Sequence, residues 1–432
     1  MKTSLFIPAK STSSRIKNKN LVIFDGDYLF RRKVMQMLEC KEVDEVWLDS
    51  DSPELHALVS DLPIKHLHRD KALADNNTDG HKLFANECSV TDADIIVQVL
   101  CTSPFLTSEH VDQALVELKK SNKTSLVGVS KCRVYQWGNE QIPLYGTDVI
   151  PNSIDLPEEI HEAMNLYAVV RPHGEIINKR FTRDVLLYEL DTLGCIDINT
   201  PEDLTFANYI SAGIRSIETQ KLNSISRIIN SCLISDVCKE LGIQHYLGNK
   251  IRPITSGRFL GFSKTLKLRS MNHEEDDWKD IFKALNSYDF IYPGDVIVVS
   301  TDIPDKAYFG DLNATFAHQR GAVGCVVDGY TRDVTRVKDI GIPVFGHGLT
   351  PDDIRYEGTF EAMNSTVEIN DVCIENNDII FGDADGVVCI PRRKWTSVLD
   401  AVKTSLYKES SIKLSAAFGK HPVDVLDEIG LF

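Results

Sequence analysis

From residue 3 to about residue 210, short apolar runs alternate with segments whose apolar positions recur at helical spacing, and this restricts the first half of the chain to few folds. "SLFIP", "EVWLDSD", "ADIIVQVL", "TSLVGVS" and "LYAVV" read as buried strands. "YLFRRKVMQMLECK" and "SEHVDQALVELKKS" read as amphipathic helices between them. Strands alternating with helices predict an α/β layer fold built on a mainly parallel sheet. Ligands of such sheets sit beyond the carboxyl ends of the strands.

The texture changes in the second half. "GDVIVVST", "GAVGCVVDG", "GIPVFGHG" and "NDIIFGDADGVVCIP" are short strands joined by Gly-rich turns. At 432 residues the chain exceeds one ordinary core. Two domains are expected, over 1–215 and 226–432, with the boundary near 212–226. Just before it, "TPEDLTFANYISAGIRSIETQ" predicts a helix with Thr200 as N-cap, Pro201 in its first turn, and Glu202 and Asp203 at its positive end.

Hydrophobic content of 43% and charged content of 25% fit a globular protein. A formal net charge of −16 argues against nucleic acid as a partner, because that binding depends on Lys and Arg neutralising phosphates. No apolar run is long enough to span a bilayer, so no membrane partner is expected. "MKTSLFIPAK" has too short an apolar core for a signal peptide. The ten cysteines form no C-x-x-C pair and several lie inside apolar runs, which suits a reducing, cytoplasmic setting.

Against this acidic background, "IPAKSTSSRIKNKN" (7–20) gathers Lys10, Arg15, Lys17 and Lys19 directly after the first strand. A Ser-, Lys- and Arg-rich loop at a strand end can offer N–H groups and cations to phosphates. It is neither a Walker A loop nor a G-x-G-x-x-G turn. A solvated basic loop on an ordinary α/β domain is the bland alternative. His66, His68 and His81 fit no standard metal spacing and read as surface or structural histidines.

The loop resembles the signature A-R-x-G-S-x-R-[IL]-x-x-K-N of the cytidylyltransferases that activate acylneuraminates and 3-deoxy-ulosonates, through Ala9, Lys10, Ser13, Arg15, Ile16, Lys19 and Asn20. Further matches follow in order: Asp51 in "LDSDSPEL"; Arg69, Leu73, Ala74 and Asp75 in "HRDKALADNNT"; Thr102, Ser103 and Pro104 in "LCTSPFL"; and Asp197 in "GCIDINTPEDL". The resemblance implies a Rossmann-like nucleotidyltransferase domain in which a 2-keto sugar acid attacks the α-phosphate of CTP. It assigns CTP binding to Lys10, Ser13, Arg15, Lys19, Asn20, Asp75, Thr102 and Ser103, with Arg15 and Lys19 catalytic. It assigns Mg²⁺ (or Mn²⁺) to Asp197. Lys10 stands for the usual Arg, Leu100 and Leu106 for the usual Gln and Arg, and Asn199 for a second Asp of the metal pair.

In the second half, "AYFGDLNATFAHQRGAVGCVVDGYTRD" (307–333) places Asp311 twenty residues ahead of Arg332–Asp333. A helix from Asp311 followed by a buried strand would return both ends to one rim. Arg332 could then grip a carboxylate, and Asp333 could hold a divalent cation. The stretch resembles the RraA-like family, which includes metal-dependent 4-hydroxy-4-methyl-2-oxoglutarate aldolases. "ISDVCKELG", "IRPITSGRFLGF", "YPGDVIVV" and "GDADGVVCIP" extend the match. The resemblance implies an αββα sandwich. It assigns pyruvate or another 2-oxo acid to Arg332 and the N–H groups of Leu312 and Asn313, a metal to Asp333, and catalytic roles to Asp311 and Arg332. Arg336 stands where an acidic residue often follows. Asp383 and Asp385 read as turn formers.

Together the two resemblances imply a CMP-sugar synthetase fused to a class II pyruvate aldolase that makes or cleaves the sugar acid for a surface glycan. They also imply a homo-oligomer, trimeric or hexameric through the second domain and dimeric through the first. The alternative is a cytidylyltransferase whose RraA-like domain is non-catalytic and serves oligomerisation or ribonuclease regulation.

Overall fold

The computed structural model describes residues 1–75, 77–171 and 175–429. Asn76 of the 68–78 motif, residues 172–174 of the first expected domain and 430–432 of the second lie outside these. The chain divides into two compact units, Met1–Ser211 and Ala212–Phe432. The expected boundary region is helical, because one helix runs over Pro201–Ser226. Its start is capped reciprocally: the Thr200 hydroxyl accepts the Asp203 N–H at 3.1 Å, and the Asp203 carboxylate accepts the Thr200 N–H at 2.8 Å.

The first unit is built on strands β1 (Thr3–Pro8), β2 (Glu45–Ser50), β3 (Lys65–His68), β4 (Ile95–Val99), β5 (Ser125–Cys132), β6 (Glu159–Val170) and β7 (Val185–Glu189). Their order is β3-β2-β1-β4-β6-β5-β7. β1 runs parallel to β2 and β4, β2 to β3, and β5 to β7; β6 is antiparallel to both neighbours. The sheet is therefore mainly parallel, as the alternating pattern predicts. Its central strands β1 and β4 are buried along almost their whole length because both faces are covered there. Leu5 and Ile7 pack with Val34 and Met37 of helix Leu29–Leu38. Phe6, between them, faces Phe84 and Cys88 of helix Gly80–Ser89 on the other side. Strand order reverses between β1 and β4, so the loops leaving these two strands open a crevice at their carboxyl ends.

The second unit holds an eight-stranded sheet of β8 (Arg252–Pro253), β9 (Phe259–Ser270), β10 (Asp295–Thr301), β11 (Gly324–Val327), β12 (Val344–Gly346), β13 (Gly358–Met363), β14 (Ile379–Asp383) and β15 (Gly386–Ile390). The order is β8-β12-β11-β10-β9-β14-β15, with β13 also on β9. The sheet curls strongly. The rings of Phe259 on β9 and Phe345 on β12 meet edge-on at 5.3 Å, although β10 and β11 lie between those strands. Gly324 makes room for this: a Cβ there would fall 2.3 Å from the Phe259 ring. Val296 and Val298 face the inner cluster, while Ile297 and Val299 face the helical side with Ala314 and Ala317 of helix Asp311–Gln319. A different set of helices, including Ser231–Glu240, covers β14 and β15 from outside. Two β layers thus lie between helical layers in one nearly closed sheet. Among the described residues no helix is long and apolar enough to cross a membrane.

Candidate functional sites

Three segments converge at the crevice of the first unit: the basic loop after β1, the loop after β4, and residues 194–200. The Asn20 amide donates to the Lys10 carbonyl at 2.8 Å, and the Cys101 thiol donates to the Asn20 side-chain oxygen at 3.0 Å. The Ile198 N–H donates to the Thr102 carbonyl at 2.8 Å, and the Lys19 ammonium donates to the Ile198 carbonyl at 2.8 Å. Ile16, Phe105 and Ile198 close a small apolar floor beneath with Phe24 and Ala207. Each buried Ile or Phe side chain of this floor contributes roughly 1.5–3 kcal/mol to holding the three loops together.

The charges gather above this floor. Burial pushes the Lys19 ammonium below its ordinary value, opposed chiefly by Cys101 and Asp197 and reinforced by Arg15 and Lys10, all within electrostatic reach. Oδ2 of Asp197 accepts from the Asn199 amide. Oδ1 is buried and has no hydrogen-bond partner among the described residues. A buried carboxylate oxygen left without a donor is costly and suits a hard cation. Asn199, which departs from the family's acidic residue, therefore supports Asp197 through its amide.

The remaining residues named from the sequence divide. The Ser13 hydroxyl accepts the Ile16 N–H at 3.5 Å, shaping the loop under exposed Arg15. Ser11 binds Asp51 through its N–H (2.8 Å) and hydroxyl (2.5 Å), tying the basic loop to the end of β2. The Ser103 hydroxyl oxygen is buried without a partner among the described residues. Asp75 is exposed and its carboxylate accepts the Asn77 N–H at 2.7 Å, a turn within its own loop. The histidines regroup: His66 and His68 join His56, with 2.9 Å between the Nδ1 atoms of His56 and His66, whereas His81 accepts the Arg180 N–H at 3.1 Å. Among the described residues no group of three or more His, Cys, Asp or Glu is arranged to hold a metal ion.

In the second unit, helix Asp311–Gln319 and β11 bring Asp311, Arg332 and Asp333 to one rim. A small parallel sheet of Ala307–Phe309, Tyr330–Thr331 and Gly348–Leu349 fixes the loops. A cavity of about 380 Å³ is lined by Arg332, Asp333, Val334, Leu349, Thr350 and Pro351. Asp333 adopts a left-handed backbone (φ 57°, ψ 30°), sparsely populated for a non-glycine residue. Its carboxylate lies against Gly310, where a Cβ would come within 2.6 Å of Oδ2.

The charged groups of this rim are paired with one another. Arg332 pairs with Asp353 and lies 3.4 Å from Asp333 through Nε. Arg336 donates to Asp311 at 2.9 Å and holds its carboxyl below the usual range, with the Leu312 N–H adding to the effect. The Asn313 side chain donates to the Tyr308 carbonyl at 2.8 Å. Asp383 accepts the N–H and hydroxyl of Ser231 at 2.9 and 2.6 Å. Asp353 was not legible in the sequence, since it lies in a Pro-Asp-Asp turn with no periodic relation to Arg332.

A basic loop at the switch point of a parallel sheet, facing a carboxylate, defines a nucleotide-handling class of α/β domain. A carboxylate and an arginine on the rim of a curled sheet define a second, independent class of site. Residues 5–189 match the cytidylyltransferase family model, and residues 231–389 match the RraA-like family described as Aldolase/RraA. The chain joins a cytidylyltransferase-family domain to an RraA-like domain. It is 29% identical to an uncharacterized protein of Methanocaldococcus jannaschii over 41% of this chain and 84% of that protein. It is 36% identical to a protein of Halalkalibacterium halodurans, provisionally named 4-hydroxy-4-methyl-2-oxoglutarate aldolase, over 26% of this chain and 53% of the relative, about half its length. It is 24% identical to a pseudaminic acid cytidylyltransferase of Campylobacter jejuni over 49% of this chain and 96% of the relative.

Proposed function

We propose that the first unit transfers CMP from CTP to a 2-keto-3-deoxy sugar acid. The anomeric hydroxyl forms a bond to the α-phosphorus, the α–β phosphoanhydride bond breaks, and pyrophosphate leaves with the proton released to solvent. The observation that carries this reading is Oδ1 of Asp197, buried beside Lys19 with no partner among the described residues. Lys10, Arg15 and Lys19 hold the triphosphate, while Ser13 and Asn20 keep their loop in shape. Thr102 and Ser103 would lie near the base or the sugar, with the buried Ser103 acting through the shape of its turn. Asp197 would hold Mg²⁺ (or Mn²⁺), which when bound offsets the charge of the triphosphate. Pyrophosphate release from CTP, assayed against a panel of ulosonic acids, tests this: release with at least one acid is expected, and none with any of them overturns it.

For the second unit the reading is a 2-oxo acid site of aldolase type. Asp333 would hold a divalent cation, which fits the open cradle at Gly310 and supplies Lewis acidity when bound. Arg332 takes the carboxylate of the 2-oxo acid on exchanging Asp353. An aldol addition of this kind yields a 4-hydroxy-2-oxo acid, the chemical class that the first unit would activate. The pairing of Arg332 with Asp353 and of Asp311 with Arg336 favours the second reading, a non-catalytic domain serving assembly or regulation. Asp333→Ala separates them. Loss of pyruvate formation with CMP transfer intact supports the aldolase, and absence of any such activity in the unaltered chain supports the alternative.

A further inference from the structure

Helix Leu29–Leu38 turns three polar side chains toward the loop that follows β4. Lys33 is 1% exposed, and its ammonium donates to the Leu106 carbonyl at 2.5 Å. Arg32 donates to the Pro104 carbonyl at 2.7 Å, and the Gln36 amide donates to the same carbonyl at 3.3 Å. Arg32 is braced from behind by Asp25, at 3.1 Å from Nε and 3.0 Å from Nη2. Lys33 shares its helix face with Leu29 and Met37, positions that an apolar residue would fill at no electrostatic cost. An ammonium buried on a neutral carbonyl is unfavourable for stability by itself. Burial accordingly drives its pKa well below the ordinary lysine value. Packing alone does not account for this residue.

What the three side chains hold is the turn carrying Thr102 and Ser103. With the Pro104 and Leu106 carbonyls drawn to the helix, the Thr102 carbonyl is presented to the Ile198 N–H at 2.8 Å, one residue from Asp197. The loop itself has Leu at 100 and 106 and brings no charged anchor of its own. We propose that Arg32, Lys33 and Gln36 form a clamp that sets the 102–106 loop for recognition of the nucleoside part of CTP, with Lys33 as its central positioning residue. This rests on the nucleotide-transfer reading above. The basic loop has a tie that bypasses the 102–106 loop, Ser11 on Asp51, and meets that loop through the Cys101 thiol on Asn20 and through the main chain of Ile198. The clamp acts directly on the 102–106 loop and reaches the triphosphate grip only through those links.

The test uses the full chain carrying Lys33→Met, with CTP and inorganic tripolyphosphate as separate probes in a binding titration. Tripolyphosphate engages only the basic loop. Loss of one donor to a buried carbonyl predicts CTP binding weaker by about tenfold or more, with tripolyphosphate binding changed by less than about twofold. Unchanged CTP affinity overturns the clamp, and so does an equal loss for both probes, which marks a merely structural residue. If Lys33→Met does not fold, the half-buried Arg32→Gln must give the same split between probes, and its failure to do so overturns the proposal. An unaltered chain that binds neither probe overturns the nucleotide reading itself, and the clamp's role with it, a result distinct from any of the variant outcomes.

Discussion

The two candidate sites satisfy their charges in opposite ways. In the first unit, the Lys19 ammonium donates to a main-chain carbonyl, and one oxygen of Asp197 is buried with no partner among the described residues. In the second, Arg332 is paired with Asp353, and Asp311 with Arg336. A cation resting on a neutral carbonyl keeps its attraction for an anionic ligand. A cation already paired to a carboxylate must exchange one anion for another, so its net gain on binding is smaller. One site is poised for a highly charged ligand, and the other is self-neutralised until something displaces its internal partner.

The largest test of this contrast is Lys19→Met. Removing a cation from a prearranged anion site lowers CMP transfer by about 100-fold or more, while any 2-oxo acid turnover by the second unit is unchanged. Steady-state pyrophosphate release checks it, and a change of only a few fold would mean that Lys19 serves the loop's structure. Next is Asp353→Asn, which frees Arg332 and strengthens oxalate binding by about tenfold, measured by calorimetry. Weaker binding would show that Asp353 orients Arg332 and does not compete with the ligand.

The smallest effect is in pH dependence, and the two units slope in opposite directions. Lys65, 2.7 Å away, holds the Glu45 carboxyl at about 2. Its folded value lies below the unfolded one, so its stabilisation is complete above the ordinary glutamate range and is lost as pH falls from about 4 toward about 2. Burial lifts the Asp378 carboxyl to about 6. The folded chain then binds that proton more tightly than the unfolded chain, so the Asp378 contribution to stability falls as pH rises from about 4 to about 6. Thermal unfolding of the full chain across this range should respond accordingly. Glu45→Gln removes the loss below about pH 4, and Asp378→Asn removes the change between about 4 and 6. Persistence of either slope in its variant would assign it to other groups.

Much of the architecture was legible because both halves write their core in simple periods. β1, β2 and β4 are short apolar runs separated by helices, and that pattern has few packings that cover both sheet faces. The basic loop was legible because four cations close together after a strand are conspicuous in an acidic chain. The roles of Asn199, Asp353 and Lys33 were not. Lys33 does leave a trace, as a charge on the apolar stripe of Leu29 and Met37, but the stripe does not say which carbonyl it meets.

The sequence alone determined the two-part α/β plan, the placing of cations at the end of β1, and the return of Arg332–Asp333 to the helix beginning at Asp311. These follow from local periodicity and from chain connectivity, which the sequence encodes directly. Only the tertiary structure decided which charges are neutralised: that one oxygen of Asp197 has no partner among the described residues, that Arg332 is held by Asp353, and that a buried lysine meets the Leu106 carbonyl. Those outcomes depend on distances of a few ångströms between residues 20 to 180 positions apart, and electrostatic energy at such range turns on burial and geometry that no spacing in the sequence records.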